Sequence, residues 1–183
     1  EDFHPEFQIS MNVSPVQLNN RSKNVFQLWR ESMFDLGLPG QAVVLEITEG
    51  LLLEQRTIVT EQLLAFRDAG IQVALDDFGT GYSSLSYLKK FDIDYLKIDK
   101  TFVSNLQPGS EDLALCEAII VMAHKLGIEV IAEGVETGEQ RDLLTAAGCD
   151  YAQGYLFAKP MAGESFKAHL LAAQTSPATK QLP

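Results

Sequence analysis

Ala69-Gly70-Ile71-Gln72-Val73-Ala74-Leu75-Asp76-Asp77-Phe78-Gly79-Thr80-Gly81-Tyr82-Ser83-Ser84 is the stretch from which the rest of the chain can be read. A glycine closes a helical pattern, an apolar run comes next, and the run ends in two adjacent carboxylates and a loop with two glycines. Successive residues of a strand point to opposite faces. Two neighbouring aspartates therefore serve one site only if the strand, read here as Ile71–Leu75, ends before them and the backbone turns. Glycines permit that turn and a close approach of backbone to a ligand. Paired carboxylates at the mouth of a sheet suit a hard divalent cation, although an aspartate-rich turn after a strand has the same composition.

The same grammar recurs outward from this stretch. Apolar runs predict strands at Phe7–Val13, Ala42–Ile47, Tyr95–Ile98, Glu129–Ala132 and Tyr151–Phe157, with helical periodicity between them. Val25, Leu28, Trp29 and Phe34 mark one helix; Ile58, Leu63, Leu64 and Phe66 mark the next; Leu113, Ile119, Ile120 and Ala123 mark a third. Gly37, Gly70, Gly127 and Gly148 each stand between a helix and an apolar residue, where a left-handed residue is needed. Thr137 and Gln140 have capping-box spacing, and Ser110 before Glu111 and Asp112 reads as a helix start. Strand and helix alternate about every thirty residues, the rhythm of βαβ units and a parallel sheet. A closed (β/α)8 barrel takes about 250 residues. The expected architecture is thus an α/β barrel of TIM type without roughly its first two strands and their helices; a complete open sheet of six strands is the alternative. Residues 1–173 read as the partial barrel domain, and the polar segment Gln174–Pro183 as a disordered tail.

Composition limits the function. The chain has 183 residues, 46% of them hydrophobic, with a formal net charge of −11 and a pI of about 4.6. That balance argues against binding nucleic-acid polymers or an anionic membrane surface, and no apolar run reaches membrane-spanning length. An anionic substrate would need metal or a few placed cations. Cys116 and Cys149 lie in or beside regular elements and read as buried free thiols of a reducing, cytoplasmic compartment.

Ligand sites of parallel α/β folds lie at the carboxyl ends of the strands. Taken in order, those ends carry Asn12, Glu46 with Glu49, Asp76 with Asp77, Lys97 with Asp99, Glu133 with Glu136, and Gln153. Any one of them could be a cap or a solvated turn. Six successive strand ends bearing oxygen donors or a lysine point to a shared site. Carboxylate and amide oxygens suit Mg²⁺ or Mn²⁺, and neighbouring aspartates suit two ions that clamp the attacking and leaving oxygens of a phosphate ester. His4, His124 and His169 all fall away from strand ends, which disfavours a histidine zinc site. Lys97 would hold the attacking water or stabilise phosphoryl charge, or simply be fixed by ion pairs to the same acids. An enolase-like barrel with Lys97 as base is a further reading of the same residues.

The motifs Asn12-Val13-Ser14, Leu45-Glu46-Ile47-Thr48-Glu49, Asp76-Asp77-Phe78-Gly79-Thr80-Gly81-Tyr82-Ser83-Ser84, Lys97-Ile98-Asp99, Ala132-Glu133-Gly134-Val135-Glu136-Thr137 and Gln153-Gly154-Tyr155 occur in this order over residues 7–170. In this the chain resembles the EAL domain of bacterial cyclic-di-GMP phosphodiesterases. The resemblance implies a modified (β/α)8 barrel that hydrolyses cyclic di-GMP to linear pGpG with Mg²⁺ or Mn²⁺. It implies Asn12, Glu46, Asp76, Asp77 and Glu133 as metal ligands, with Asp77, Glu133 and Lys97 catalytic and Lys97 beside the reacting water. Glu49 would anchor the loop after Asp77, which links the metal site to a dimer interface; Asp99 and Gln153 would contact substrate. A homodimer, partner sensor or diguanylate cyclase domains and a cytoplasmic site are implied likewise. The family's Glu-Ala-Leu motif, upstream of the Asn-containing strand and the source of a further ligand, occurs nowhere in this chain. The expectation is therefore an incomplete barrel with impaired turnover, with a non-catalytic cyclic-di-GMP sensor as the alternative.

Overall fold

The computed structural model describes residues 7–18, 25–53, 57–79, 88 and 91–175. Six strands form one parallel sheet: β1 (Ile9–Asn12), β2 (Val43–Thr48), β3 (Gln72–Phe78), β4 (Tyr95–Ile98), β5 (Glu129–Ala132) and β6 (Tyr151–Ala152). They lie side by side in sequence order, β1 to β6. A doubly wound sheet reverses its order at a switch point. A strict sequential order, with every crossover in one direction, is instead the arrangement of a barrel wall. Among the described residues β1 and β6 do not pair with each other, so the sheet is an arc of a barrel.

The helices are α1 (Pro15–Leu18), α2 (Val25–Asp35), α3 (Glu49–Leu53), α4 (Thr57–Asp68), α5 (Lys100–Val103), α6 (Glu111–Lys125), α7 (Gly138–Ala146) and α8 (Gly163–Thr175). Strand alternation sorts the core into two. Leu45, Ile47, Val73, Leu75, Leu96, Ile98, Val130 and Ala132 face the helices in the main apolar cluster. Val44, Ala74 and Tyr95, with Ile131 and Tyr151 against them, form a smaller cluster on the opposite, inner face. The strand-end donors belong to that inner face.

The helix punctuation agrees with the sequence. Gly37, Gly70, Gly127 and Gly148 have φ of 67–86°. After α4 the Ile71 amide donates to the Phe66 carbonyl (3.1 Å) and the Gly70 amide to Arg67 (2.8 Å), which satisfies the open carbonyls and turns the apolar Ile71 into the next strand. Thr137 and Gln140 make the capping box, and the Ser110 side chain accepts from the Leu113 amide. Gln140 Nε2 also donates to the Val103 carbonyl (3.1 Å), tying α7 to α5.

Four differences from the sequence expectation have physical causes. β3 does not stop at Leu75 but runs on through both aspartates to Phe78. β6 is two residues long, not seven, because the chain after Gln153 folds back on Val135. On α2, Leu28 and Phe34 are exposed, while Trp29 and Met33 make the contact with the core. The last helix carries Gln174 and Thr175, so the expected start of the tail falls within a helix; residues 176–183 lie outside the described residues. Both cysteines are buried and free, and burial pushes the Cys149 thiol up to about 12 and that of Cys116 up to about 11.

Candidate metal centre

The two aspartates share a site because of a β-bulge. Leu75 pairs with Leu96 and Phe78 with Ile98, three residues of β3 against two of β4. The extra residue is Asp77, whose φ of 56° lies in the left-handed region that Asp tolerates better than most residues. Without it, Asp77 would point at the helices and Phe78 inward. With it, Phe78 returns to the helix-side core and both carboxylates stay at the strand mouth. The Asp77 amide donates to Asp76 Oδ1 (3.1 Å), which steadies the kink.

Donor oxygens of Asp76, Asp77 and Glu133 all lie within 4.8 Å of one another. Lys97 sits at the centre of the acids. Its ammonium is 2.9 Å from Glu46 Oε1, 3.1 Å from Asp76 Oδ1 and 2.5 Å from Glu133 Oε1, and the residue is 2% exposed. Burial alone would push the Lys97 pKa down. The hydrogen bonds and charges of Glu133 and Glu46 outweigh that and hold it above its ordinary value. Burial, together with the charges of Asp76 and Asp99, raises Asp77 above the usual carboxylate range. Glu133 is raised by burial and by the other acids in spite of Lys97. A cluster of hard oxygen donors with too much negative charge for one lysine fits a divalent cation of the Mg²⁺ or Mn²⁺ kind.

The other expected residues surround this cluster. Asn12 ends β1 in register with Glu46, on the same row of the inner face. Gln153 Nε2 donates to Glu133 Oε1 (2.6 Å), joining the end of β6 to the cluster. Asp99 caps α5, accepting from the amide (2.9 Å) and hydroxyl (2.5 Å) of Thr101. Burial works against its charge, but these bonds keep its pKa below the usual value. The charge of Asp99 also disfavours the ionised form of Asp77. Glu49 opens α3 and is buried, and neither of its carboxylate oxygens has a hydrogen-bond partner among the described residues. The loop it is expected to anchor includes Thr80–Ser84, which lie outside those residues. His124 pairs with Asp150 (2.7 Å), which also accepts from the Val130 amide at the start of β5, and His169 lies on α8.

Sequence reading did not single out the cavity beside this cluster. It measures about 490 Å³, and Glu133, Gln153, Lys100, Tyr155, Lys159 and Phe166 are among its walls. Its shape depends on Gly154. A Cβ there would lie 2.2–2.7 Å from backbone atoms of Val135, which accepts from the Leu156 amide and donates to Gln153 (both 3.0 Å). The signal was present: a glycine directly after a strand-end glutamine, and a lysine nearby in an acidic chain.

A family profile described as "EAL domain" matches residues 1–160. The chain is 39% identical over 160 residues to the "Cyclic di-GMP phosphodiesterase RocR" of Pseudomonas aeruginosa, covering 86% of this chain and 40% of that protein. It superposes on the crystal structure of the EAL domain of Mycobacterium smegmatis DcpA with a TM-score of 0.83 at 39% identity, covering 93% of this chain and 75% of that one. A Klebsiella pneumoniae BlrP1 manganese/cy-diGMP complex matches with a TM-score of 0.77 at 32% identity, covering 85% and 40%. The chain spans about a fifth to two fifths of the length of the curated relatives it matches.

Proposed function

The chain belongs to the EAL domain family, and from that membership we propose that it hydrolyses cyclic di-GMP to linear pGpG with Mg²⁺ or Mn²⁺. The observation that supports this most directly is the convergence of Asp76, Asp77 and Glu133 within 4.8 Å around the buried Lys97 ammonium. Two relatives carry the same chemistry in their descriptions, one as a cyclic-di-GMP phosphodiesterase and one as a manganese complex of the dinucleotide.

Asn12, Glu46, Asp76, Asp77 and Glu133 would hold the cations, which supply Lewis acidity and an activated water for in-line attack on the phosphodiester. The remaining work falls to the chain. Asp76 and Asp77 are presented together by the bulge at Asp77. Gln153 fixes the Glu133 carboxylate, and the charge of Asp99 at the start of α5 raises the Asp77 pKa. Lys97, kept protonated by Glu133 and Glu46, donates hydrogen bonds to the water or the phosphoryl oxygens as charge develops. A lysine held in its charged form is a poor proton acceptor, which disfavours the enolase-like reading. Glu49 would anchor the loop after Asp77. A homodimer, partner sensor or diguanylate cyclase domains and a cytoplasmic location belong to the same reading; among the described residues no helix is long and apolar enough to cross a membrane.

Chromatography of cyclic di-GMP incubated with the protein and Mn²⁺, alongside calorimetric titration, tests the proposal. Appearance of pGpG supports it. Binding without pGpG would make the domain a receptor for the dinucleotide, and absence of both would end the assignment.

The acid cluster also makes metal binding pH-dependent. Asp77 and Glu133 have raised pKa values, so they stabilise the fold below their unfolded values of about 4 and lose that contribution as pH rises through the folded values. Metal must displace their protons. Mn²⁺ is expected to raise the melting temperature strongly at about pH 8 and little at about pH 5. Equal Mn²⁺ shifts at the two pH values in a thermal-melt series would show that these carboxylates are not the ligands.

A further inference from the structure

The cavity beside the metal centre shares Glu133 and Gln153 with it. A ligand whose reacting phosphate sits at the carboxylate cluster can extend into this space. Under the phosphodiesterase reading, on which the inference rests, the ligand is a cyclic dinucleotide with two phosphodiester charges. One lies at the metal centre. The other enters a domain with a net charge of −11, past Glu133 and Glu136. Leaving an anion there without a cation is costly.

Among the described lining residues the cations are Lys100 and Lys159. Lys100 is the first residue of α5, directly after the Asp99 cap, and its charge helps keep Asp99 ionised. Lys159 is differently seated. Its ammonium stands 5.4 Å from the centroid of the Tyr155 ring, and among the described residues no carboxylate forms an ion pair with it. A cation over an aromatic face keeps its N–H donors for other partners. The backbone beneath is stiff, because the next residue, Pro160, confines Lys159 to extended conformations. The Lys159 and Tyr155 side chains are both exposed at the edge of the cavity, where an ammonium beside a ring and ahead of a proline can reach an anion bound in that space.

We propose that Lys159 binds the second, non-reacting phosphodiester of the cyclic dinucleotide and that Tyr155 positions it. Lys159 thereby discriminates cyclic dinucleotides from diesters with a single phosphate. It touches substrate but not the reacting atoms, so its loss weakens binding of ground and transition states alike and appears in KM rather than kcat.

The test measures KM and kcat for Mn²⁺-dependent hydrolysis of cyclic di-GMP and of bis(p-nitrophenyl) phosphate, which has one phosphate, together with calorimetric Kd for cyclic di-GMP. Lys159→Met is expected to raise KM and Kd for cyclic di-GMP about tenfold, to flatten their salt dependence, and to leave kcat within about twofold. The ratio of kcat/KM for the dinucleotide to that for the single-phosphate diester should fall by the same factor. Lys159→Arg, which keeps the charge, should restore KM and the salt dependence. KM and Kd within twofold of the parent would overturn the proposal. So would equal losses on both substrates, or failure of arginine to restore binding. If the unsubstituted protein neither binds nor cleaves cyclic di-GMP, the functional reading itself fails, before any substitution is made.

Discussion

Asp77→Asn is expected to lower Mn²⁺-dependent release of pGpG by roughly three orders of magnitude while the fold survives. Asparagine is nearly isosteric and tolerates the left-handed backbone that Asp77 adopts at φ 56°. The bulge and the return of Phe78 to the core therefore remain. What disappears is one anionic donor of the trio formed with Asp76 and Glu133. The same change removes repulsion, since the Asp77 carboxylate is disfavoured first by burial and then by Asp76 and Asp99. Metal-stripped Asp77→Asn should accordingly melt no lower than the parent, while its stabilisation by Mn²⁺ shrinks. Steady-state turnover and paired thermal melts check both parts. Parent-like turnover would remove Asp77 from the mechanism.

Lys97→Met is expected to act in the opposite way, through stability first. Lys97 is the common partner of Glu46, Asp76 and Glu133, with side-chain exposures of 3% for the lysine and 7%, 14% and 17% for the acids. Methionine fills similar volume but leaves three buried carboxylates facing one another. Removing one side of a buried ion pair costs about 3–5 kcal/mol, a large share of a domain's stability. Because the folded pKa of Lys97 is raised, its contribution is fully present at neutral pH and is lost only as pH rises through that folded value. In the variant the deficit should shrink as pH falls through the carboxylate range, where the acids become neutral, and Mn²⁺ should recover part of it. Turnover should stay low even with saturating Mn²⁺, because the donor to the phosphoryl oxygens is gone. Urea unfolding at two pH values decides the point; a loss below about 1 kcal/mol at neutral pH would mean that the acids are neutralised in some other way.

The helix ends were readable because their signals are local. Gly70 and Gly127, the Thr137–Gln140 box and the Ser110 cap each depend on a handful of neighbouring residues and behave as expected. β4 and β5 match their predicted spans, since a short apolar run between such signals leaves little freedom. The expectation for β6 was too long because Tyr155, Leu156 and Phe157 continue the apolar run. Gly154, pressed against the Val135 backbone, turns the chain before they can extend the strand.

The order of strand-end residues was legible in the sequence: Asn12, Glu46, Asp76, Asp77, Lys97, Glu133 and Gln153 each lie at the end of an apolar run, and parallel α/β topology brings such ends together. Three things were decided only in three dimensions. The bulge that lets two consecutive carboxylates serve one site arises from the pairing of β3 with β4, which inserts Asp77 as an unmatched residue. The partnership of Lys97 with three acids at once comes from the curvature of the sheet, which aims side chains from β2, β3, β4 and the end of β5 at one point. The seat of Lys159 over Tyr155 comes from the fold-back after β6. Periodicity and capping act over a few residues and are written in the chain; register, curvature and close backbone approach depend on partners far away in sequence, and only packing fixes them.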